Sequence, residues 1–389
     1  MTQRVVADGT FAVVTGGGTS GHVIPALAIA DALVAAGHAR SSIQYVGGKH
    51  GAEVALLAAT DYPATFLDVV GLQRNLSRRN LAFAPKLVRS VRAATRLLRE
   101  LRPAVVVNVG GYASFPATYA ARRAKVPYVV VSWDHRPGLV SRLLARGAAA
   151  CAVADAGSRL PHAQVTGAPM RAEIVSLDRA AARLSAREQL GLPVDRFVVA
   201  VVCGSLGAGA VNAVVAAAVD QLGSRRDLAV YHVVGERFLS QAAPEREGKS
   251  GILYRVIGYE SHMAQLYAAA DLLITRAGAG TVAEIATVGA PAIVVPWPGA
   301  AENHQLANAK LLSDQAAAVL IEQDAFTTER LIGEVDRFVN DPVALADLAA
   351  NARTVGALHR SGKLVALIEQ VARPQVAGQP VVPPTVVKS

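Results

Sequence analysis

One stretch of the chain combines residue types that could bind a phosphorylated nucleoside. Residues 272–274 are apolar, the turn that follows holds Gly278 and Gly280, and an Ala/Val/Ile-rich helical pattern begins after it. Glycine lets a ligand approach the main chain, and the N–H groups at the start of a helix attract a phosphate. Glu284 follows Thr281 by three residues, so its carboxylate could accept hydrogen bonds from a ribose diol. The same spacing is that of a helix capping box, which needs no ligand.

A second glycine-rich turn lies near the N-terminus and ends in a histidine. Strand-like residues 11–15 lead into Gly16-Gly-Gly-Thr-Ser-Gly-His22, and a helical pattern runs from Val23 to about Ala36. The next strand ends in Gly47-Gly48-Lys49 and not in an acidic residue, which excludes a dinucleotide-binding fingerprint. We interpret the turn as one that admits a diphosphate or a sugar. His22 could take a proton from an attacking hydroxyl if the helix terminus lowers its pKa, or it could only hydrogen-bond its own loop.

Further glycine-rich or polar turns follow predicted strands. They are Gly110-Gly111-Tyr112, Trp133-Asp134-His135, Gly204-Ser205-Leu206 and the segment 297–308, which carries His304 and Gln305. Open α/β sheets bind ligands at the carboxyl ends of their strands, so Asp134 and His135 are site candidates. An ordinary turn at Pro137-Gly138 is the alternative for that segment.

The order of strand, glycine turn and helix occurs at residues 11–36 and starts again at Phe197, within a chain of 389 residues. A chain of this length is too long to fold around one hydrophobic core, so two domains are expected. The predicted fold is α/β, with two Rossmann-like domains whose parallel sheets face each other across a cleft. The predicted division is an N-terminal extension at 1–10, domains at 11–171 and 172–345, helices at 346–372 that pack back on the N-terminal domain, and a disordered tail at 373–389.

The composition narrows the class of protein. The chain has 52% hydrophobic and 18% charged residues, and no apolar run reaches the roughly 18 residues of a membrane span. The N-terminal residues lack the pattern of a secretory signal, so a cytoplasmic protein is expected. Cys151 and Cys203 lie far apart in apolar surroundings without metal-ligand spacing, and we expect buried thiols.

Most of the net charge of +9 lies in one segment. Between Arg74 and Arg102 the only acidic residue is Glu100, and leucines alternate with the first cations. The stretch Leu72–Arg89 therefore suits an anionic cytoplasmic membrane surface, to which the protein would bind peripherally. Nucleic acid is not expected, since the segment offers one aromatic side chain for base stacking. A solvated basic helix face from Pro85 to Arg99 is the open alternative.

Four motifs, taken together, resemble those of the MurG family. They are Gly-Gly-Gly-Thr-Ser-Gly-His at 16–22, Gly-Gly-Tyr at 110–112, Gly-Ser-x-Gly-Ala at 204–208, and Arg-Ala-Gly-Ala-Gly-Thr-Val-Ala-Glu-Ile at 276–285 followed by Glu-Asn-His-Gln at 302–305. The similarity runs in register from about residue 11 to about residue 370. Members are inverting N-acetylglucosaminyltransferases of the GT-B type, which implies that fold and that chemistry here.

The resemblance implies a role for each matching residue. UDP would bind the C-terminal domain and the acceptor diphosphate the N-terminal domain, with His22 as the base and neither metal nor cofactor. The implied donor contacts are Tyr259 and Glu260 for uracil, Glu284 for ribose, Ser205, Ala279, Gly280 and Thr281 for the diphosphate, His304 and Gln305 for the sugar, and Arg171 near the nucleotide. The implied acceptor or sugar contacts are Thr19, Ser20, Gly21, Gly111, Tyr112 and Asp134.

The implied activity is transfer of GlcNAc from UDP-GlcNAc to undecaprenyl-diphosphate-muramoyl-pentapeptide (lipid I) at the inner membrane face. This chain departs from the family pattern at Ser20-Gly21, where the family has Gly-Gly, at Ser132-Trp133-Asp134, where it has Glu-Gln-Asn, and at Leu206, where it has glutamine. These departures leave open a MurG-like enzyme of specialised metabolism with another sugar or acceptor. A nucleotide-binding subunit without catalysis and a UDP-sugar epimerase are further alternatives.

Overall fold

The computed structural model describes residues 9–69, 71, 83–204 and 206–373, and the chain passes twice between two units. Unit 1 contains the described residues up to Ala172 and those from Ser361 on, and unit 2 comprises Glu173–Arg360. The first passage lies one residue after the boundary predicted at 171.

Unit 1 opens with alternating strands and helices. Its strands are β1 Ala12–Gly16, β2 Ile43–Gly48, β3 Ala64–Leu67, β4 Val105–Gly110, β5 Tyr128–Ser132, β6 Ala150–Val153 and β7 Ala163–Val165. Its helices are α1 Ser20–Ala35, α2 Glu53–Ala58, α3 Phe83–Leu101, α4 Phe115–Arg123 and α5 Leu139–Ala145, and α6 Ala172–Val175 spans the passage to unit 2.

The described strands of unit 1 form a parallel sheet in the order β3-β2-β1-β4-β5-β6-β7. Parallel strands covered by helices on both faces are mostly apolar, as the central strands β1, β4, β5 and β6 are, whereas the edge strand β7 is exposed. On one face Val13, Val106 and Val130 pack with Leu98 of α3 and Ala117 of α4. The chain order reverses between β1 and β4, and such a reversal is where open α/β sheets bind ligands.

Unit 2 repeats the architecture. Its strands are β8 Phe197–Val202, β9 Leu228–Val233, β10 Arg246–Glu247, β11 Leu253–Ile257, β12 Leu272–Thr275, β13 Ala292–Val294 and β14 Val319–Leu320. Its helices are α7 Arg179–Gln189, α8 Gly209–Gln221, α9 Met263–Ala269, α10 Ala279–Val288, α11 His304–Ser313, α12 Thr328–Asn340 and α13 Pro342–Val355.

Within the described part of unit 2 the strand order is β10-β11-β9-β8-β12-β13-β14, with one antiparallel pair, β10 and β11. The order reverses between β8 and β12, so the turns after these two strands leave the sheet side by side. Val201, Ile274 and Ile293 pack with Val211 of α8 and Val335 of α12 in the core. Both sheets agree with the predicted α/β fold of two Rossmann-like domains.

The chain returns to unit 1 with α14 Lys363–Val371, which contacts β4, β5 and β6. His38 Nε2 lies 2.9 Å from Glu369 Oε1, and Arg373 N donates to Ala104 O at 3.0 Å. The return occurs at Ser361 and not at residue 346, because α13 packs against α10 within unit 2.

Several expectations fall at the edge of the described residues. Most of the predicted extension (residues 1–8) and most of the predicted tail (374–389) lie outside them, as do residues 72–82 of the basic stretch.

Both cysteines are free and buried, as predicted. Among the helices that the structure describes, none combines the length and the apolar character that a membrane crossing requires.

Candidate active site

Two glycine turns of unit 1 interlock at the point where its strand order reverses. Gly111 has a φ of +78°, and a Cβ atom there would collide with the carbonyl oxygen of Gly17. A Cβ on Gly18 would lie 2.5 Å from Cε1 of Tyr112, so the tyrosine ring covers the first turn. Each turn therefore fixes the position of the other through contacts that only glycine permits.

His22 lies between these two turns. Helix α1 begins at Ser20, so His22 is in the first helical turn and not, as the sequence suggested, just before the helix. Its Nδ1 atom is 3.2 Å from Thr19 Oγ1. The ring also lies against Gly110, where a Cβ would be 3.0 Å from His22 Cδ2. The imidazole is thus held on both sides.

Burial lowers the pKa of His22, and the negative charges of Asp134 and Glu53 oppose this shift. The neutral imidazole is therefore favoured near pH 7, as expected from the sequence, with desolvation as the main cause. When Nδ1 carries the proton and donates to Thr19, Nε2 keeps its lone pair. His22 can then accept a proton, which is what a general base must do.

A cavity of about 220 Å³ lies beside His22 at the carboxyl edge of the sheet. It is lined by His22, Val109–Tyr112, Val131–Asp134 and Gly138–Ser141. Four predicted site residues, His22, Gly111, Tyr112 and Asp134, are therefore brought together from three turns. Thr19, Ser20 and Gly21 form the N-cap and the first two residues of α1, directly before His22.

His135, which the sequence suggested as a site residue, lies near Asp155. Its Nδ1 atom lies 3.9 Å from Asp155 Oδ1, and Asp155 in turn accepts a hydrogen bond from Gly157 N at 2.7 Å. His135 thus takes part in the packing of the loop after β6, and it does not line the cavity described above.

The sequence interpretation missed a buried asparagine that shapes the second turn. Asn108 accepts a hydrogen bond from Gly110 N at 2.9 Å, and its Nδ2 donates to Ser114 Oγ at 3.1 Å and to Thr118 Oγ1 at 2.7 Å. An amide inside the apolar run 105–109 must be hydrogen-bonded there. That placement was the signal that could have revealed it.

In unit 2 the helix α10 begins at Ala279, with Gly278 as its N-cap and no side-chain cap hydrogen bond. Its first helical bond runs from Val282 N to Gly278 O, at 2.9 Å, so the N–H groups of the three residues before Val282 have no acceptor within the helix. Thr281 is the third helical residue and not the N-cap. The capping-box interpretation of this motif is therefore wrong.

Glu284 lies one turn further along α10 and is half-buried. Its Oε2 atom accepts a hydrogen bond from the hydroxyl of Tyr267 on α9, at 2.7 Å. This contact orients the carboxylate on the first turns of the helix. Its role toward a ribose stays a prediction.

The other predicted donor residues follow strands that end at the same edge of the sheet. Tyr259 is 54% exposed after β11, whereas the side chain of Glu260 is buried. Glu260 accepts hydrogen bonds from the hydroxyl of Tyr231 at 2.8 Å and from His262 N at 2.6 Å. The backbone, which the resemblance implicates in uracil binding, is thus held by an internally bonded side chain.

His304 and Gln305 begin α11, after two residues, Glu302 and Asn303, with left-handed backbone. Gln305 Oε1 accepts a hydrogen bond from Trp297 N at 2.9 Å. Asn308, which the sequence interpretation did not single out, is buried and donates to Ala277 O at 3.2 Å, which ties α11 to the turn before α10.

The remaining predicted donor contacts are Ser205 and Arg171. Ser205 lies outside the described residues. Arg171 belongs to unit 1, directly before the passage to unit 2, and its nucleotide contact stays a prediction. The part of the chain that the structure describes holds no group of three or more His, Cys, Asp or Glu side chains suited to a metal ion.

Comparison with known proteins gives a consistent result. Residues 12–153 match the glycosyltransferase family 28 N-terminal domain, and residues 198–363 match the family 28 C-terminal domain.

Two curated relatives are named UDP-N-acetylglucosamine–N-acetylmuramyl-(pentapeptide) pyrophosphoryl-undecaprenol N-acetylglucosamine transferase. The one from Acidothermus cellulolyticus is 37% identical over 92% of this chain and 97% of its own length. The one from Clavibacter michiganensis subsp. michiganensis is 36% identical over 95% of this chain and 98% of its own length. The crystal structure of Acinetobacter baumannii MurG matches with a TM-score of 0.71 and 28% identity, over 93% of this chain and 99% of that one. The chain therefore belongs to glycosyltransferase family 28 and, within it, to the MurG family of UDP-GlcNAc-dependent hexosyltransferases.

Proposed function

We propose that this chain transfers GlcNAc from UDP-GlcNAc to undecaprenyl-diphosphate-linked muramoyl pentapeptide. The observation that carries the proposal is the placement of His22. Its imidazole lines a cavity at the carboxyl edge of the unit 1 sheet, lies beside Thr19, and has a lowered pKa. The near full-length similarity to transferases of this name supports the choice of donor and acceptor.

The proposed reaction is a single displacement with inversion. An acceptor hydroxyl gives its proton to Nε2 of His22 while its oxygen forms a bond to the anomeric carbon of GlcNAc. The bond from that carbon to the β-phosphate oxygen breaks, and UDP leaves with the electron pair. N–H groups at the start of α10 then stabilise the added negative charge of the diphosphate.

The proposed donor site uses the turns at the carboxyl edge of unit 2. Uracil meets the backbone at Tyr259 and Glu260, and the ribose meets Glu284. The diphosphate meets Ser205 and the segment Ala279–Thr281, while His304 and Gln305 contact the sugar and Arg171 lies near the nucleotide. The support is topological, since the turns after β8, β11, β12 and β13 all leave the same edge of one sheet.

We also propose that the protein binds an anionic membrane surface through the stretch Leu72–Arg89 and the rest of α3. Ser90, Ala94 and Leu98 on this helix are buried. Arg89, Arg92, Arg96 and Arg99 are exposed on its other side. A helix with one apolar face against the protein and one basic face outward suits anionic headgroups.

A second candidate, transfer to another lipid-linked or natural-product acceptor, has one observation in its favour. Asp134 adds a carboxylate to the cavity beside His22, where an acceptor diphosphate would bring further negative charge. Like charges at short range oppose binding. Which acceptor the cavity takes is therefore the point that the experiment must decide.

The test is release of UDP from UDP-GlcNAc, UDP-GalNAc and UDP-Glc, with and without lipid I, with product analysis. The proposal expects release from UDP-GlcNAc that lipid I stimulates, and the same rate in EDTA because the proposed site needs no metal. Absence of stimulation by lipid I contradicts the peptidoglycan assignment, and stimulation by another acceptor supports the second candidate. A changed sugar without added acceptor points to an epimerase.

A further inference from the structure

The reaction proposed above leaves one fully buried carboxylate without a role. Glu53, the first residue of α2, has no solvent exposure. Its Oε1 atom lies 2.7 Å from Gly48 N and its Oε2 atom 3.0 Å from Gly18 N. The carboxylate thus joins the end of β2 to the glycine turn that precedes His22.

Glycines surround this carboxylate and leave the room that it fills. A Cβ on Gly17 would lie 2.5 Å from Glu53 Oε1, and one on Gly48 would lie 2.9 Å from the same atom. A Cβ on Gly51 would collide with the carboxylate as well. A buried charge must be hydrogen-bonded, and backbone amides are its partners here. The turn is therefore built around a side chain of the protein itself.

This arrangement changes the interpretation of the first glycine turn. The sequence suggested that the turn admits a diphosphate, but the N–H group of Gly18 already donates to Glu53. An acceptor diphosphate would need other donors, such as the N–H groups at the start of α1. The glycines at 17 and 18 make room for Glu53 and Tyr112, which is a structural reason for glycine at both positions that needs no ligand.

We propose that Glu53 is a positioning residue of the acceptor site. Its carboxylate holds the turn that presents Thr19 and His22, and its negative charge stabilises the imidazolium that forms when His22 takes the acceptor's proton. This inference rests on the proposed function, because it assigns Glu53 a part in that reaction.

Within the described residues, two carboxylates act on the charge of His22. His22 is influenced by Asp134 and Glu53. Glu53 in turn raises the pKa of Tyr45 and of Tyr112, adding to the effect of their burial. The hydroxyl of Tyr45 donates to Gly16 O at 2.7 Å, in the same turn. Removal of the Glu53 charge leaves Asp134 as the carboxylate that still acts on His22.

The test is Glu53→Gln, which keeps the shape and removes the charge. We expect kcat for transfer to lipid I to fall by about 10- to 100-fold, as for a misplaced catalytic group, with unchanged UDP affinity. We expect the pKa of His22 to fall, measured by NMR titration of histidine-labelled protein and assigned by comparison with His22→Gln. A purely structural role would leave that pKa unchanged.

Glu334→Gln is the matched control, because Glu334 is also a buried carboxylate but pairs with Arg330 and Arg337 in unit 2. It should leave the His22 pKa at the wild-type value. If Glu53→Gln shows wild-type kcat and a wild-type His22 titration, the inference is overturned.

If Glu53→Gln does not fold, Glu53→Asp replaces it as the test. This variant keeps the charge, but its side chain is one methylene shorter, so the carboxylate is withdrawn from the two backbone amides. A folded Glu53→Asp protein with wild-type kcat also overturns the inference. If wild-type protein shows no transfer to lipid I, the proposed function fails, while the His22 titration still tests the contact with Glu53.

Discussion

At the scale of single residues, the proposed acceptor site depends on how His22 is kept neutral and oriented. Its Nδ1 atom faces Thr19 Oγ1, and burial disfavours the protonated form. The sequence placed the histidine beside a glycine turn, but the contact with Gly110 and the shared cavity with Asp134 come from distant segments.

His22→Gln should lower kcat by about 10²- to 10⁴-fold, the usual contribution of a general base. UDP affinity should stay unchanged, because the proposed donor site lies on unit 2. UDP release with lipid I measures the first effect and calorimetry with UDP the second. Normal turnover in this variant would remove His22 as the base.

The pH dependence of kcat/KM follows from the same residue. Since the pKa of His22 lies below 6.5 and the neutral form is the active base, kcat/KM should rise with pH, with the midpoint of the rise below pH 6.5, and then level off. Asp134 raises that pKa, so Asp134→Asn should shift the acid limb to lower pH. A limb that stays in place or moves to higher pH would contradict this account.

At the scale of elements, the start of α10 offers a direct test of the donor site. Gly280 is the second helical residue, and a Cβ there would meet no atom within 4 Å. Gly280→Ala should therefore fold normally, with a helix more stable by up to about 1 kcal/mol. If the diphosphate approaches the main chain at this point, UDP affinity should fall by about tenfold, as calorimetry can measure.

Gly333→Ala is the control for Gly280→Ala, since Gly333 lies within α12 and also has open space for a Cβ. It should stabilise its helix without any effect on UDP affinity. Equal UDP affinity in both variants would argue against a diphosphate at the start of α10.

Helix α3 carries the proposed membrane contact. Reversal of Arg89, Arg92 and Arg96 to glutamate should weaken binding to anionic vesicles by about 100-fold or more, since each cation near such a surface contributes about 1 kcal/mol. Co-sedimentation with phosphatidylserine vesicles measures the effect. The control reverses the exposed cations Arg122, Arg123 and Lys125, near the end of α4. Equal loss in both variants would indicate a general charge effect and no specific face.

At the scale of the whole molecule, the buried His232 and the half-buried His359 should couple the stability of unit 2 to pH. Burial lowers the pKa of both His232 and His359 to about 4. His232 lies between Tyr254 and Asn212, at 2.9 Å and 3.1 Å, both neutral partners that suit an uncharged imidazole. Protonation of either ring inside the fold is therefore unfavourable.

Between pH 6.5 and about 4 the unfolded chain binds these protons and the folded chain does not. The free energy of unfolding of unit 2 should therefore have its full value above pH 6.5 and decrease as the pH falls below it. At pH 4 the decrease should be roughly 3 kcal/mol for each histidine. Denaturant titrations of the protein from pH 7.5 to 4.5 measure the slope. A stability that does not change over this range would contradict the burial of these rings in neutral form.

Local patterns in the sequence determined much of the architecture. The strand predicted to start at Phe197 does so, and the helix predicted to end at about Ala36 ends at Ala35, because apolar runs and helical patterns are bounded there by turn residues. Short elements such as β3 and α2 were missed, since a few half-buried residues carry little periodic signal. The glycine turns and their order also identified the family.

Tertiary structure alone decided how the site is built from these turns. The hydrogen bond from Gly18 to Glu53 joins residues 35 positions apart, and the one from Asn308 to Ala277 joins residues 31 apart. No pattern within a window of the sequence encodes such pairs, because they form only when the sheet brings the ends of non-adjacent strands together. For the same reason the sequence could not show that Gly17 leaves room for the Glu53 carboxylate, because Glu53 reaches this turn only in the folded sheet.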